Sequence, residues 1–268
     1  MKQNDSYSAQ PELDFYYSHN DYVIRHTYQT HCHNAYEFIF FISGSATYLT
    51  EGCKYNLQKH DLVITKPARY HSVDVRDDKK YNRINILVNS APDLTALLDS
   101  LPSKFEVVNC ENIPEIINCF SKTDLYNSRL PKKDFNLLLN NLLTEVCYNL
   151  LIHDSVVEQE HNQASQTILD ALNYINAHLF EITDIKEVCD RVFISEAHFF
   201  RLFKQELKIS PKKYITSKRL LYAQTLLAEG EKPTAIFERC GFNNYISFYQ
   251  RYVDFFGYPP SDEPSKKK

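Results

Sequence analysis

The 268-residue sequence has no run of about 18 apolar residues, the length a helix needs to cross a bilayer. Its first residues also lack an apolar signal-peptide core. These absences argue against membrane roles and lead us to expect a cytosolic protein. Seven cysteines (32, 53, 110, 119, 147, 189 and 240) contain no CxxC pair. They are scattered and odd in number, which fits reduced thiols better than a disulfide framework. What the chain does have is apolar material: 43% hydrophobic and 13% aromatic residues, enough to build real cores. Disorder is then expected only at the ends, in "MKQNDSYSAQPE" and "PSKKK", and the length favours two domains.

The net charge of −4 is unevenly spread. Residues 1–164 carry 15 Lys/Arg against 21 Asp/Glu, whereas residues 165–268 carry 15 against 13. Between Ser195 and Arg219 there are seven basic and two acidic residues. A cationic stretch inside an acidic chain suggests an anionic partner; a solvated basic face is the plainer alternative.

From Tyr22 to Asn89, short β-rich runs such as "YEFIFFISGSATYL" and "RINILVN" alternate with polar turns, the pattern of a sandwich or small barrel. After Asn89 the apolar spacing becomes helical. Phe135, Leu138, Leu142, Val146 and Leu150 mark a helix of about five turns opened by a proline. Leu139 and Leu143 widen its stripe, so packing against a second copy in a homodimer and packing in its own core are both open. "HDSVVEQEHNQAS" reads as a linker, free of glycine and therefore expected to be partly helical. Beyond it the pattern is helical to about Phe256, with no convincing strand. The expected fold class is α+β, with a β-rich domain and its helices at 1–152, a linker at 153–164, an all-α domain at 165–260 and a tail at 261–268.

The helical half repeats itself. Laying "HFFRLFKQELKISP" on "SFYQRYVDFFGYPP" aligns Phe199 with Phe248, Arg201 with Gln250, Phe203 with Tyr252 and Pro211 with Pro260. A shorter helix precedes each copy, in "DIKEVCDRV" and "PTAIFERC", so each is a helix-turn-helix. A helix from about Pro211 to Glu229 joins them. Its length, about 28 Å at 1.5 Å per residue, approaches the roughly 34 Å between successive major-groove faces of B-DNA. Phe199, Leu202 and Phe203 are expected to pack inward and leave Ala197, His198, Phe200, Arg201 and Lys204 on or beside the other face.

Over about Ser165 to Pro260, the ordered motifs "IS…HFFRLFK…SP…Y…RL" and "CGF…FY…FFG.PP" resemble the AraC/XylS family of transcription regulators. The resemblance implies binding to double-stranded promoter DNA through the second helix of each unit. It assigns DNA contacts to Ser195, Ala197, His198, Phe200, Arg201 and Lys204 in the first unit, and to Tyr245, Ile246, Tyr249, Gln250 and Arg251 in the second. Arg201 would hydrogen-bond guanine, a contact worth roughly 1–3 kcal/mol of discrimination; a phosphate contact is its alternative role. In the second unit Gln250 and Asp254 stand where the family often has Arg and Lys, so the first unit is expected to carry most of the specificity. Lys208 stands where a helix-ending glycine is usual, which predicts a strained left-handed cap.

In the β-rich half, "HCHNAYEFIFFISG" puts His31, His33 and Glu37 on alternate positions, which share a face on a regular strand. With His71 in "ARYHSV" the spacing resembles a cupin barrel, and metal-binding cupins hold an ion with such a set. The resemblance leaves three readings open: a pocket without cofactor for a polar small molecule such as a sugar, with His31, His33, Glu37, Tyr48, Arg69 and His71 as effector-binding residues; a metal at His31, His33, Glu37 and His71; or a structural set. The leading functional expectation is a ligand-responsive transcription regulator, not an enzyme, that activates by contacting RNA polymerase. A metal-dependent cupin enzyme with a helical appendage is the rival.

Overall fold

The computed structural model describes residues 15–20, 30–76, 81–153 and 162–264; both expected tails fall largely outside this set. Seven strands come first: β1 (Phe15–Asn20), β2 (Tyr36–Ser43), β3 (Ala46–Thr50), β4 (Cys53–Leu57), β5 (Asp61–Thr65), β6 (His71–Val75) and β7 (Asn82–Val88). They pair antiparallel in two sheets, one ordered β1-β7-β2-β5-β8 and one β6-β3-β4-β9, where β8 is Val107–Asn109 and β9 is Asn162–Gln163. Period-two alternation along β2 explains the layering. Phe38 and Phe40 enter a core shared with four helices, α1 (Pro92–Ser100), α2 (Pro114–Ser121), α3 (Thr123–Arg129) and α4 (Lys132–Ile152), while Ile39 and Phe41 enter the space between the sheets. Helices, large sheet and small sheet therefore form three layers.

On α4 the structure selects one of the two packings left open for Leu139 and Leu143. Leu139 and Leu143 are buried in the chain's own core, together with Phe135, Leu142, Val146 and Leu150. The apolar side chains exposed on this helix are instead Leu137, Tyr148, Leu151 and Ile152. The expected partly helical linker is also different where it is described: Asn162 and Gln163 pair with Lys54 and Cys53 as a strand. Short polar segments beside an open sheet edge are readily recruited to it, because the edge offers unpaired backbone groups.

The remaining helices are α5 (Gln166–Ala177), α6 (Ile185–Arg191), α7 (Glu196–Leu207), α8 (Pro211–Ala228), α9 (Pro233–Ile236) and α10 (Tyr245–Phe256). Local chemistry sets their starts. Asp184 and Glu187 form a reciprocal capping box on α6, and Ser195, Ser210 and Asn244 cap α7, α8 and α10 by accepting from backbone N–H groups. Eighteen residues make α8 a rod of about 27 Å. Its first half packs Tyr214, Ile215 and Leu221 with α5 to α7, and its second half packs Leu220, Ala223, Leu226 and Leu227 with α9 and α10.

Candidate functional site

On α7, Phe199, Phe203 and Leu207 are buried, a stripe at helical spacing that fixes which face is left outward. Ser195, Ala197, His198, Arg201 and Lys204 are exposed on that face, and Phe200 is half-buried with the Lys212 ammonium 6.0 Å above its ring. On α10, Phe248 and Tyr252 are buried; Ile246, Tyr249, Gln250 and Arg251 are exposed, and half-buried Tyr245 packs edge-on against Phe237. Each second helix is thus anchored by aromatics and presents the predicted residues.

Two of the seven cations between Ser195 and Arg219 do not belong to the outward face. Arg219 donates to the carbonyls of Leu179 (2.8 Å), Ile182 (2.6 Å) and Gly241 (2.7 Å), tying the α5–α6 loop to the turn of the second unit. Burial pushes its guanidinium below the usual Arg range. A Cβ on Gly241 would lie 2.8 Å from that guanidinium, so a side chain there would displace the tie. Lys218 reaches the β-rich domain instead, 2.7 Å from Glu51 with side chains only 11% and 7% exposed. The sequence did carry a signal for both. Tyr214 and Leu221 flank Lys218, and Ile215 and Ala223 flank Arg219, at helical spacing, and all four are buried.

The Lys218–Glu51 pair is one part of a broad contact between the domains. Asn34 donates to Thr225 Oγ1 at 2.8 Å, the Tyr70 ring stacks on Tyr214 at 5.2 Å, and Ala164 donates to the Gly52 carbonyl. Cys32 and Tyr70 are members of the same apolar cluster as α5 to α8, and burial raises the Cys32 thiol to about 12. A cavity of about 250 Å³ lies along this seam, lined by the β3–β4 hairpin, residues 162–165 and the end of α7. Nothing in the local sequence pattern announced it, because its walls, which also include Thr30, Tyr70 and Ser72, come from five separate stretches.

His31, His33, Glu37 and His71 meet, but not on one regular strand. His31 forms an isolated bridge to His71, His33 lies in the following loop, and only Glu37 belongs to β2. One ligand atom from each lies within 4.8 Å of the others. Backbone carbonyls set two of the rings: His33 Nδ1 is 3.1 Å from the Ala35 oxygen and His71 Nδ1 is 2.9 Å from the Arg69 oxygen. Asn85 Nδ2 donates to Glu37 Oε1 at 2.8 Å and orients the carboxylate. Glu37 Oε2 then faces His71 Nε2 at 2.8 Å and His33 Nε2 at 3.5 Å, yet none of the three atoms is aligned for a hydrogen bond. Burial opposes the Glu37 charge, but the neighbouring His71 and His33 overcome it and hold the carboxyl well below its ordinary range. For His71 burial likewise opposes charging, and Glu37 outweighs it, raising the imidazole. This donor set, three imidazoles and one carboxylate, fits a transition-metal ion.

The two remaining effector candidates border this cluster: the Tyr48 ring centroid is 6.3 Å from that of His71, and the Arg69 carbonyl is the one that holds His71 Nδ1. Tyr48 is fully buried, not exposed, and bonds Thr65 Oγ1 at 2.8 Å. Arg69 is committed to Glu106 at 2.9 Å.

Comparison with known proteins agrees with both halves. A model of an AraC-like ligand binding domain matches residues 12–123, and a model of a helix-turn-helix domain matches residues 188–263. The chain is 30% identical over 123 residues to the probable transcriptional regulator LumQ of Photobacterium leiognathi, a match that covers 46% of this chain and 48% of LumQ. It is 25% identical to the HTH-type transcriptional regulator YobQ of Bacillus subtilis, across 87% of each chain. Among solved structures it is similar to ToxT from Vibrio cholerae, with a TM-score of 0.40, 15% identity and coverage of 93% of this chain and 96% of that one. The paired domain matches and these relatives favour a regulator over a cupin enzyme. The chain belongs to the AraC family of DNA-binding transcription regulators.

Proposed function

We propose that this regulator reads promoter DNA chiefly through α7, and that a ligand in the β-rich domain controls how α7 and α8 are presented. The observation that carries the reading is the two-sidedness of α7, in which buried Phe199 and Phe203 back an outward face holding Arg201 and Lys204. Exposed Lys208, Lys212 and Lys213 extend that face toward phosphates. The rod α8 sets the spacing of the two second helices along one side of the duplex.

Control has a physical route. Cys32 and Tyr70, which pack against the helical domain, are chain neighbours of His31, His33 and His71. A ligand held by those histidines moves the segments that carry the interdomain contact, and it shifts the equilibrium only by its difference in affinity for the docked and undocked states. Leu137, Tyr148 and Leu151 form the exposed stripe on α4 that suits a homodimer. Activation through RNA polymerase is the regulatory sign we expect.

The test is binding of the full chain to promoter fragments selected from genomic DNA, repeated across salt concentrations. Affinity should fall steeply as salt rises, because bound cations are displaced from the phosphates. Arg201→Ala should relax preference at a guanine. Salt-independent binding, or unchanged base preference in that variant, contradicts the reading.

A further inference from the structure

The cavity along the domain seam has more free donors than free acceptors. Ser72 lines it from β6, is 2% exposed, and its hydroxyl makes no hydrogen bond among the described residues. A buried hydroxyl in that state costs free energy until an acceptor enters. The Lys54 and Lys208 ammoniums and the Gln205 amide also line the cavity without a partner among the described residues. Its two carboxylates are already engaged, Glu51 by Lys218 at 2.7 Å and Glu206 by the Ser165 N–H at 2.9 Å. Lys208 is moreover strained: it ends α7 in the left-handed region, at φ 61° and ψ 12°, where α10 ends on Gly257. Strained residues of this kind gather at ligand sites. The walls are set by backbone. Ala164 donates to the Gly52 carbonyl, and Gly52, at φ 92°, lets the hairpin close on the helical domain, since a Cβ there would lie 3.0 Å from Leu169 and 3.3 Å from Ala164.

We propose that this cavity binds a small hydroxylated anion, a phosphorylated or carboxylated polyol, whose charged oxygens accept from Lys54 and Lys208 and whose hydroxyls meet Ser72 and Gln205. A volume of about 250 Å³ falls just below the roughly 300–1,000 Å³ of most small-molecule sites, so the occupant is small. None of His31, His33, Glu37 and His71 lines the cavity; the site goes beyond the barrel-held ligand and does not need it. Lys54 belongs to the β-rich domain and Lys208 to the end of α7, so the anion bridges the domains and stabilises their docked state. An ammonium turned to this anion is lost to a DNA phosphate, and where α7 reads DNA the two ligands therefore weaken each other reciprocally.

The experiment titrates the full chain with glucose 6-phosphate and with gluconate, and with glucose as the neutral control. Cys53 lines the cavity and is half-buried, whereas the other six cysteines are buried. Its alkylation by iodoacetamide, followed by mass spectrometry, therefore reports occupancy of the seam and not of the DNA-facing cations. At least one of the two anions should slow Cys53 alkylation to a saturable limit and raise the thermal midpoint, and which one does so tells phosphate from carboxylate. Glucose should do neither. Lys54→Gln should weaken the protecting anion roughly tenfold, as loss of one hydrogen bond to a charged group does, and Ser72→Ala should weaken it by a smaller factor. Lys59→Gln, an exposed lysine outside the cavity, should leave it unchanged. Cys53 alkylated at the same rate with and without both anions overturns the proposal, as does equal protection by glucose or undiminished protection in Lys54→Gln. DNA binding measured on the same samples separates the two ideas. Protection of Cys53 without DNA binding leaves the seam site standing and sinks the regulator reading, and the converse sinks only the seam site.

Discussion

The two helix-turn-helix units share a plan and differ in almost everything that surrounds it. In the first, α6 has seven residues and a capping box; in the second, α9 has four and no side-chain cap. The core of the first unit is continuous with sensor-domain residues Cys32 and Tyr70. The second builds a separate core on the far half of α8, and half-buried Phe255 and Phe256 pack against both clusters. Their backbones differ too. Phe193 and Lys208 take left-handed conformations in the first unit, with φ of 56° and 61°, where the second places Gly241 and Gly257. A side chain in that region costs roughly 1–2 kcal/mol. The unit that faces the sensor and carries the cations is therefore also the strained one, and the second is the relaxed copy.

Core substitutions should break this comparison most severely. Phe203→Ala and Phe248→Ala each remove a fully buried ring, at a cost of about 3–5 kcal/mol. Hydrogen exchange should show Phe203→Ala loosening α5 to α8 together with the sensor hairpin, and Phe248→Ala loosening α9 and α10 alone. Next in size are the readout residues. Arg201→Ala should cost roughly 1–3 kcal/mol of base discrimination in competition binding, and Gln250→Ala measurably less, because a neutral amide makes weaker contacts than a charged fork. Equal losses would remove the functional asymmetry. The smallest effect sharpens the backbone difference. Lys208→Gly should stabilise the chain by about 1 kcal/mol and Gly257→Ala destabilise it by a similar amount, read from denaturation midpoints. No packing conflict confuses the result at Gly257, where an added Cβ meets nothing within 4 Å.

What could be read in the sequence was what depends on local period. The paired helices, their caps and the outward residues of α7 and α10 follow from spacing three and four apart, and the duplication confirmed the register. The histidine set was legible for a different reason: three of its members lie within seven residues, so they converge even though the segment is not one strand. Illegible were the features made by distant stretches. The charge tally from Ser195 to Arg219 included Lys218 and Arg219 although their buried neighbours at helical spacing marked an inward face; the partners they meet there, Glu51 and the carbonyls of Leu179, Ile182 and Gly241, could not be read. The pairing of Asn162 and Gln163 with β4 and the seam cavity also require the two domains to be docked. Leu139 and Leu143 were assigned to two possible faces because periodicity locates an apolar stripe without saying how wide the covering layer is.

The β-rich domain grips the first unit and runs along α8 as far as Thr225, and Lys218→Ala probes that grip directly. It leaves Glu51 as a charge without its closest cation at a contact where both side chains are nearly covered, a change that costs up to about 3–5 kcal/mol at fully buried pairs. Hydrogen exchange of the full-length variant should show faster exchange in the β3–β4 hairpin, α5 and the first half of α8, with α9 and α10 as protected as in the wild type. Equal acceleration in both units, or none in either, would contradict it.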